Sequence, residues 1–386
     1  MRRIPFFIRL ISIVIVLHVY IGLRLIPDLP LGMPYKVLGA MLLVASVSLI
    51  PLGRAARRIK SQPLSDRLAW LGFLMMGLFS TLLALTVLRD IALLLMYIIN
   101  SPQGAASAEY AAYSALGVPT LAVFLTLLGV YNARRSAPVK IIEVPIAGLA
   151  AALDGFSIVQ ITDIHIGPTI KRGYVEKIVA TVNGLKADLI AVTGDVVDGT
   201  VPQLAADAKP LGELSARHGT FFVTGNHEYY AGADDWIIEF RRLGFQVLMN
   251  EHVVVDHDGA HAIVAGVTDY GAGSVDPAHM SSPAKAMHGA PADIPFRLLL
   301  AHQPRSAAAA AEAGFTLQLS GHTHGGQFLP WPFFIRLQQP FVHGLAKLND
   351  LWVYTSRGTG YWGPPIRLGA PSEVTLLRLV AETAAV

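Results

Sequence analysis

No cysteine occurs in this 386-residue chain, which excludes thiolate zinc sites and iron–sulfur clusters. Charge is scarce as well: Asp, Glu, Lys and Arg make up 15% of the residues, against 53% hydrophobic ones. An ordinary soluble domain carries about 25% charged residues, so this balance excludes a purely soluble protein. The net charge of +3 is small and part of it borders apolar runs, so no nucleic-acid partner is expected. Internal repeats are missing, as are the Walker and dinucleotide glycine motifs.

The apolar excess lies before residue 135. Residues 4–26, 35–52, 68–99 and 110–130 are candidate membrane spans. The first, second and fourth are near the roughly 20 residues that cross a bilayer. The third would reach about 48 Å at 1.5 Å per residue, so it must tilt, kink or protrude. A removable signal peptide does not fit, because apolar runs continue past the first. Arg2-Arg3 lacks the rest of a twin-arginine export signal.

Basic residues set the expected orientation. Arg2 and Arg3 precede the first span; Arg54, Arg57, Arg58, Lys60 and Arg67 lie between the second and third; Arg134, Arg135 and Lys140 follow the fourth. The alternate loops are poor in charge, and residues 101–109 contain no Lys or Arg. The positive-inside rule then predicts a multi-pass protein of the inner (cytoplasmic) membrane with both termini in the cytoplasm. Residues 1–135 are expected to form an all-α membrane domain of about four helices, and 141–386 a second domain, with the hinge in 132–144. Within the spans, Arg89 is expected near the far interface, where snorkelling suffices, and His18 as an interhelical hydrogen-bonding residue.

Beyond the hinge, five short polar motifs each follow an apolar run: Asp163-Ile164-His165, Gly194-Asp195-Val196-Val197-Asp198, Gly225-Asn226-His227-Glu228, His302, and Gly321-His322-Thr323-His324. Each motif alone is an ordinary turn or a satisfied histidine. Together they offer carboxylate, imidazole and amide donors, which suit Mn, Fe, Zn or Mg. Residues 156–161, 188–193, 220–223, 296–300 and 316–319 read as short strands that end where the motifs begin. Between the first two, Val175, Ile178, Val179, Val182 and Leu185 have helical spacing over 174–185. Strand, helix, strand predicts an α/β sheet, with ligands gathered beyond the carboxyl ends of its strands. Residues 275–293, rich in Ala, Pro, Ser and Gly, read as a loop or flap rather than core.

The motif series resembles the calcineurin-like metallophosphoesterases over most of 141–386. Residues 321–327, Ser356-Arg357-Gly358, Pro364-Pro365-Ile366-Arg367 and Glu373-Val374-Thr375-Leu376 are similar to the membrane-associated bacterial branch that includes YkuE and YaeI. The resemblance implies an α/β (α+β) four-layer αββα sandwich and a cofactor of two divalent metal ions. By the resemblance, Asp163, His165 and His324 would hold one ion, Asn226, His302 and His322 the other, and Asp195 would bridge them. His227 would serve the leaving group as a proton donor, with Asp198 orienting its ring. Where the protein-phosphatase branch carries a phosphate-clamping arginine, this chain has Gly199, which argues against phosphoprotein substrates. Arg305, Arg357 and Arg367 are candidates to reach a phosphate from elsewhere.

The expected activity is hydrolysis of a phosphodiester or pyrophosphate at the membrane, with a lipid-linked substrate such as UDP-2,3-diacylglucosamine as the sharpest expectation. A nucleotide phosphodiesterase merely tethered to the bilayer is the alternative, and a non-catalytic sensor or scaffold a third. The complete ligand set argues against the last.

Overall fold

The computed structural model describes residues 6–56, 59, 61–100 and 105–382. Arg2, Arg3, Arg57, Arg58 and Lys60, which enter the topology argument, lie outside the described residues, as do 101–104 of the charge-poor loop. Four long helices come first: α1 (Phe6–Leu25), α2 (Met33–Ala55), α3 (Gln62–Asn100) and α4 (Ala105–Arg134). Each holds an apolar stretch long enough to cross a bilayer. Their outward faces carry Val16, Leu23, Val44 and Ile99, each more than 60% exposed, a composition stable only against lipid. α3 has 39 residues, longer than expected, so it spans with turns to spare.

His18, Arg89 and Asp90 inside this helical unit are closed by partners. His18 bonds Val14 O at 2.8 Å and Ser46 Oγ at 3.0 Å, and stacks on Phe79, joining three helices. Arg89 departs from the snorkelling expectation: its side chain is only 2% exposed. Its guanidinium donates to Asp28, Arg24 O, Ala111 O and Ser114 Oγ. Next to it, Asp90 accepts from Arg24 and Tyr20. The α1–α2 loop supplies Asp28, the last turn of α1 supplies Arg24 O, and α4 supplies Ala111 O and Ser114 Oγ, so the guanidinium need not reach for water.

The second unit is built on two six-stranded sheets. Its elements are β1 (Val139–Ile146), β2 (Ser157–Ile161), α5 (Arg172–Gly184), β3 (Leu189–Val192), α6 (Val201–Ala208), β4 (Thr220–Phe222), α7 (Asn226–Ala231), α8 (Ala233–Arg242), β5 (Gln246–Val247), β6 (Glu251–His257) and β7 (Ala260–Gly266). They continue with α9 (Pro283–Ala286), β8 (Arg297–Leu300), α10 (Ala307–Glu312), β9 (Leu317–Ser320), α11 (Trp331–Ile335), β10 (Gly344–Leu348), β11 (Leu351–Thr355) and β12 (Val374–Ala381). One sheet runs β1-β12-β2-β3-β4-β5 and the other β10-β11-β9-β8-β7-β6. β2 to β5 are parallel, as are β7, β8, β9 and β11, while β12 against β2 and the β6–β7 and β10–β11 pairs are antiparallel. The sequence-predicted strands and helix all form within one or two residues of their expected bounds.

Strand alternation builds the layers. In β7 and β8, Ala262, Val264, Leu298 and Leu300 face the other sheet and meet Leu189, Ala191 and Phe221 there. Their neighbours Ile263, Ala265 and Leu299 face outward onto Ala307 and Ala310 of α10. The period of two thus gives each sheet one face for its partner sheet and one for helices. The stretch 275–293 is less loop-like than its composition suggests, since α9 lies in it and Ala286 is fully buried in the outer cluster. The chain also does not divide at a single cut: Phe328–Pro330 and Gly363–Leu368 group with the four long helices. There Ile366 packs on Gly129, whose carbonyl accepts from Arg367 N–H at 2.9 Å.

Candidate metal centre

The five motifs meet at the carboxyl ends of β2, β3, β4, β8 and β9, each occupying the turn that leaves its strand. Donor atoms of Asp163, His165 and His324 lie within 4.8 Å of one another, and so do those of Asp195, His302 and His322. Asp195 stands between the groups: its Oδ2 is 3.1 Å from His302 Nε2, 3.9 Å from His165 Nε2 and 4.0 Å from His227 Nε2.

Local backbone explains how five turns fit in one place. Asp163, His165, Asp195, His322 and His324 all have φ between 51° and 70°, a region that costs side chains of order 1–3 kcal/mol each. Such strain is retained where surrounding structure needs a side chain aimed one way. Glycine supplies the remaining clearance: a Cβ on Gly225 would land on Asp195 Oδ1, and one on Gly321 would land on Asp163 Oδ2.

Hydrogen bonds behind the site decide which nitrogen each ring turns inward. Asp198 Oδ1 accepts from His165 Nδ1 at 2.9 Å and from His227 Nδ1 at 2.6 Å. His302 Nδ1 donates to Thr193 O at 2.8 Å. With a proton held at Nδ1, His165 and His302 turn Nε2 inward as the ligand atom, the arrangement by which metal-bound imidazoles are oriented, whereas the inward Nε2 of His227 keeps a proton of its own. His165 Nε2 faces His324 Nε2 at 3.1 Å, and His324 Nε2 faces Asp163 Oδ1 at 3.3 Å. Asn226 Oδ1 is buried with no hydrogen-bond partner, although a buried amide oxygen is costly unless something accepts its lone pairs.

Charge points the same way. The side chains of Asp163, Asp195 and Asp198 are 0%, 3% and 7% exposed, and buried carboxylates require positive charge nearby. Burial pushes Asp163 up even with His302 opposing it. For Asp195, burial is outweighed by His302 and His227, which hold it well below the usual carboxylate range. Burial lowers His227, but Asp195 and Asp198 outweigh it and raise the ring to about 9. Burial and then the neighbouring His302 push His322 down to about 3, leaving it a neutral donor. Inward lone pairs, an orphaned amide oxygen and three buried carboxylates fit two divalent cations, with oxygen and nitrogen donors only.

Three contributors were given no role in the sequence reading. Glu228 accepts the backbone N–H groups of Asp195, Val196 and Gly225 at 2.9, 2.8 and 2.6 Å, tying two motif turns together. Burial and Asp195 push it up to about 7, against the three donors that favour its charge. Its position three residues after Gly225, at the start of α7, is half of a capping box and was a readable signal. Trp362 and Tyr230 set their rings 5.7 and 5.3 Å from His227, and no local pattern announces them.

The candidate arginines separate. Arg305 lies close enough to His322 to lower its basicity, with Nε donating to Gln338 O. Arg357 packs its Cγ on Gly325, and Arg367 is buried within the helical unit. Gly199 offers no side chain, and its carbonyl accepts the Trp236 indole N–H at 2.9 Å.

Comparison with known proteins follows the same residues. Residues 156–326 match the calcineurin-like phosphoesterase family. A Bos taurus transmembrane protein with metallophosphoesterase domain is 39% identical over 278 residues, covering 68% of this chain and 62% of the relative. Metallophosphoesterase Cj0846 of Campylobacter jejuni is 34% identical over 271 residues, with 68% and 69% covered. Metallophosphoesterase YkuE of Bacillus subtilis is 30% identical over 235 residues, with 58% and 79% covered. The chain thus spans about six-tenths of the vertebrate relative's length.

Proposed function

Because the chain belongs to the calcineurin-like metallophosphoesterases, we propose that it is a membrane-anchored, metal-dependent phosphoric ester hydrolase acting on a phosphodiester or pyrophosphate. The convergence of imidazole Nε2 atoms on Asp195, from turns of both sheets, carries this reading. Asp163, His165 and His324 would hold one cation, Asn226, His302 and His322 the second, and Asp195 both. Two such cations supply Lewis acidity to the phosphoryl oxygens and a water acidic enough to act as nucleophile near neutral pH.

The remaining work falls to the protein's own groups. His227, kept protonated by its carboxylate neighbours, stands ready to give its Nε2 proton to the leaving oxygen. Asp198 holds that ring and the His165 ring with a single oxygen, so loosening it disturbs proton transfer and ligation together. Glu228 keeps the Asp195 and Asn226 turns in register.

Four apolar helices make the chain membrane-associated, which supports a lipid-linked substrate in the cytoplasmic leaflet, such as UDP-2,3-diacylglucosamine. Turnover by detergent-purified protein of bis(p-nitrophenyl) phosphate, nucleotide diesters and UDP-diacylglucosamine tests this. A strong preference for the acylated substrate is expected. Preference for nucleotide diesters would replace it with a tethered phosphodiesterase. Orientation is tested separately: an alkaline phosphatase fused after Val386 should be inactive, and activity there would place the catalytic domain outside the cytoplasm.

A further inference from the structure

The turn that carries His322 and His324 runs directly into an apolar ridge that the sandwich leaves uncovered. Across 329–337, Leu329, Trp331, Phe333, Phe334 and Leu337 are 45%, 48%, 72%, 52% and 80% exposed. Aromatic side chains present about 150–250 Å² each, so these five expose several hundred Å² together, the scale that marks a binding surface. Charge on the surrounding segment is of one sign. Residues 321–349 include Arg336 and Lys347 and no Asp or Glu.

The ridge is pinned at both ends to the metal turns. At its start, Gly326 lies flush against Pro332, with no room for a Cβ. At its end, Arg305 Nε donates to Gln338 O at 2.5 Å, Gln339 Nε2 donates to Gln303 Oε1 at 3.2 Å, and Thr323 Oγ1 donates to Val342 O at 2.6 Å. Gln303 and Thr323 are sequence neighbours of His302 and of His322 and His324. The ridge therefore cannot move far without moving metal-site turns. The three residues leading into it, Phe328–Pro330, group with the four long helices rather than with the sandwich.

We infer that α11 and its flanks dip into the headgroup–acyl boundary of the bilayer that the long helices cross, and so hold the metal centre at the level of lipid phosphates. Lipid is the occupant that fits all observations together: aromatic residues with a basic residue and no acid suit an anionic interface, and the leading segment is continuous with the membrane unit. A soluble protein partner would leave that continuity without a reason. The consequence for substrate is an amphiphile whose phosphoester lies at headgroup depth, entering along the Trp331–Leu337 side. The substrate clause rests on the phosphoesterase reading above; the insertion does not.

The absence of cysteine allows a clean test with full-length protein. Phe334→Cys, Leu337→Cys and, as a control on the β6–β7 hairpin, Asp256→Cys are labelled with nitroxide in vesicles of zwitterionic and anionic phospholipid. Collision with oxygen and with a water-soluble nickel chelate reports depth. Labels at 334 and 337 should be shielded from nickel and open to oxygen, roughly 5–10 Å below the phosphates as for interfacial helices, while 256 shows the reverse. Nickel access at 334 and 337 equal to that at 256 would overturn the inference, as would spin–spin broadening relieved by unlabelled protein, which would mean a second copy covers the ridge. A Phe333→Gln, Phe334→Gln, Leu337→Gln variant should keep its rate on bis(p-nitrophenyl) phosphate and lose at least about tenfold on a vesicle-embedded phosphoester. Shielded labels with no turnover of any embedded substrate would uphold the insertion and sink the lipid-substrate reading instead.

Discussion

Two regions of this molecule bury charged clusters, and they do so in opposite ways. Around Arg89 every donor is matched: Asp28, two carbonyls and a hydroxyl take up the guanidinium, and Asp90 is satisfied by Arg24 and Tyr20. At the strand ends of the sandwich the outer atoms are matched, while the inner ones are turned toward each other. His165 Nε2 faces His324 Nε2, and Asn226 Oδ1 has no partner. A closed network holds helices together. A convergent one is built for something to be bound in its middle, and its backbone carries the strain of five left-handed residues for that purpose.

The largest effect should come from breaking the convergent cluster at its shared member. Asp195→Asn is expected to lower metal occupancy in both groups and to remove turnover, read by elemental analysis of purified protein alongside the rate. Full two-metal occupancy in that variant would sink the bridging assignment. His227→Ala removes a group that points inward without belonging to either expected ligand set. Both metals should stay while turnover falls by about 10²–10⁴, the usual worth of a general acid.

Asp198→Asn tests whether one oxygen orients two rings. Metal affinity should drop about 10–100-fold, as for other groups that orient ligands, and the leaving-group dependence of the rate should change with it; a change in only one of the two would separate the rings' roles. The smallest catalytic effect should come from the closed network. Arg89→Met should leave turnover of a soluble diester in detergent unaltered while costing about 1–3 kcal/mol of helical-unit stability, since Arg24 O and Ala111 O lose a buried donor. Thermal unfolding followed by helical circular dichroism measures it, and a loss of diester turnover at constant fold would show that the two clusters are not independent.

Much of the fold was legible because its signals are local. The runs at 156–161, 188–193 and 296–300 are β-branched or apolar, bounded by glycine and polar residues, and each ends one or two residues before a motif. Helical spacing over 174–185 had no competing period. The burial of Arg89 was missed for a physical reason: its distance along the helix is readable, but Asp28 and Ser114, which compensate that burial, come from two other segments.

Sequence by itself determined the membrane helices, the layered α/β domain and the identity of the converging side chains, because hydropathy, periodicity and motif composition are carried by neighbours along the chain. Only the tertiary structure decided that Asp198 serves two imidazoles, that Glu228 ties two turns, and that 329–337 stands exposed. An apolar run with Trp and three Phe nearby reads equally well as core or as surface. Which one it becomes depends on whether another layer of the fold covers it, and that is settled by distant segments meeting, not by the run itself.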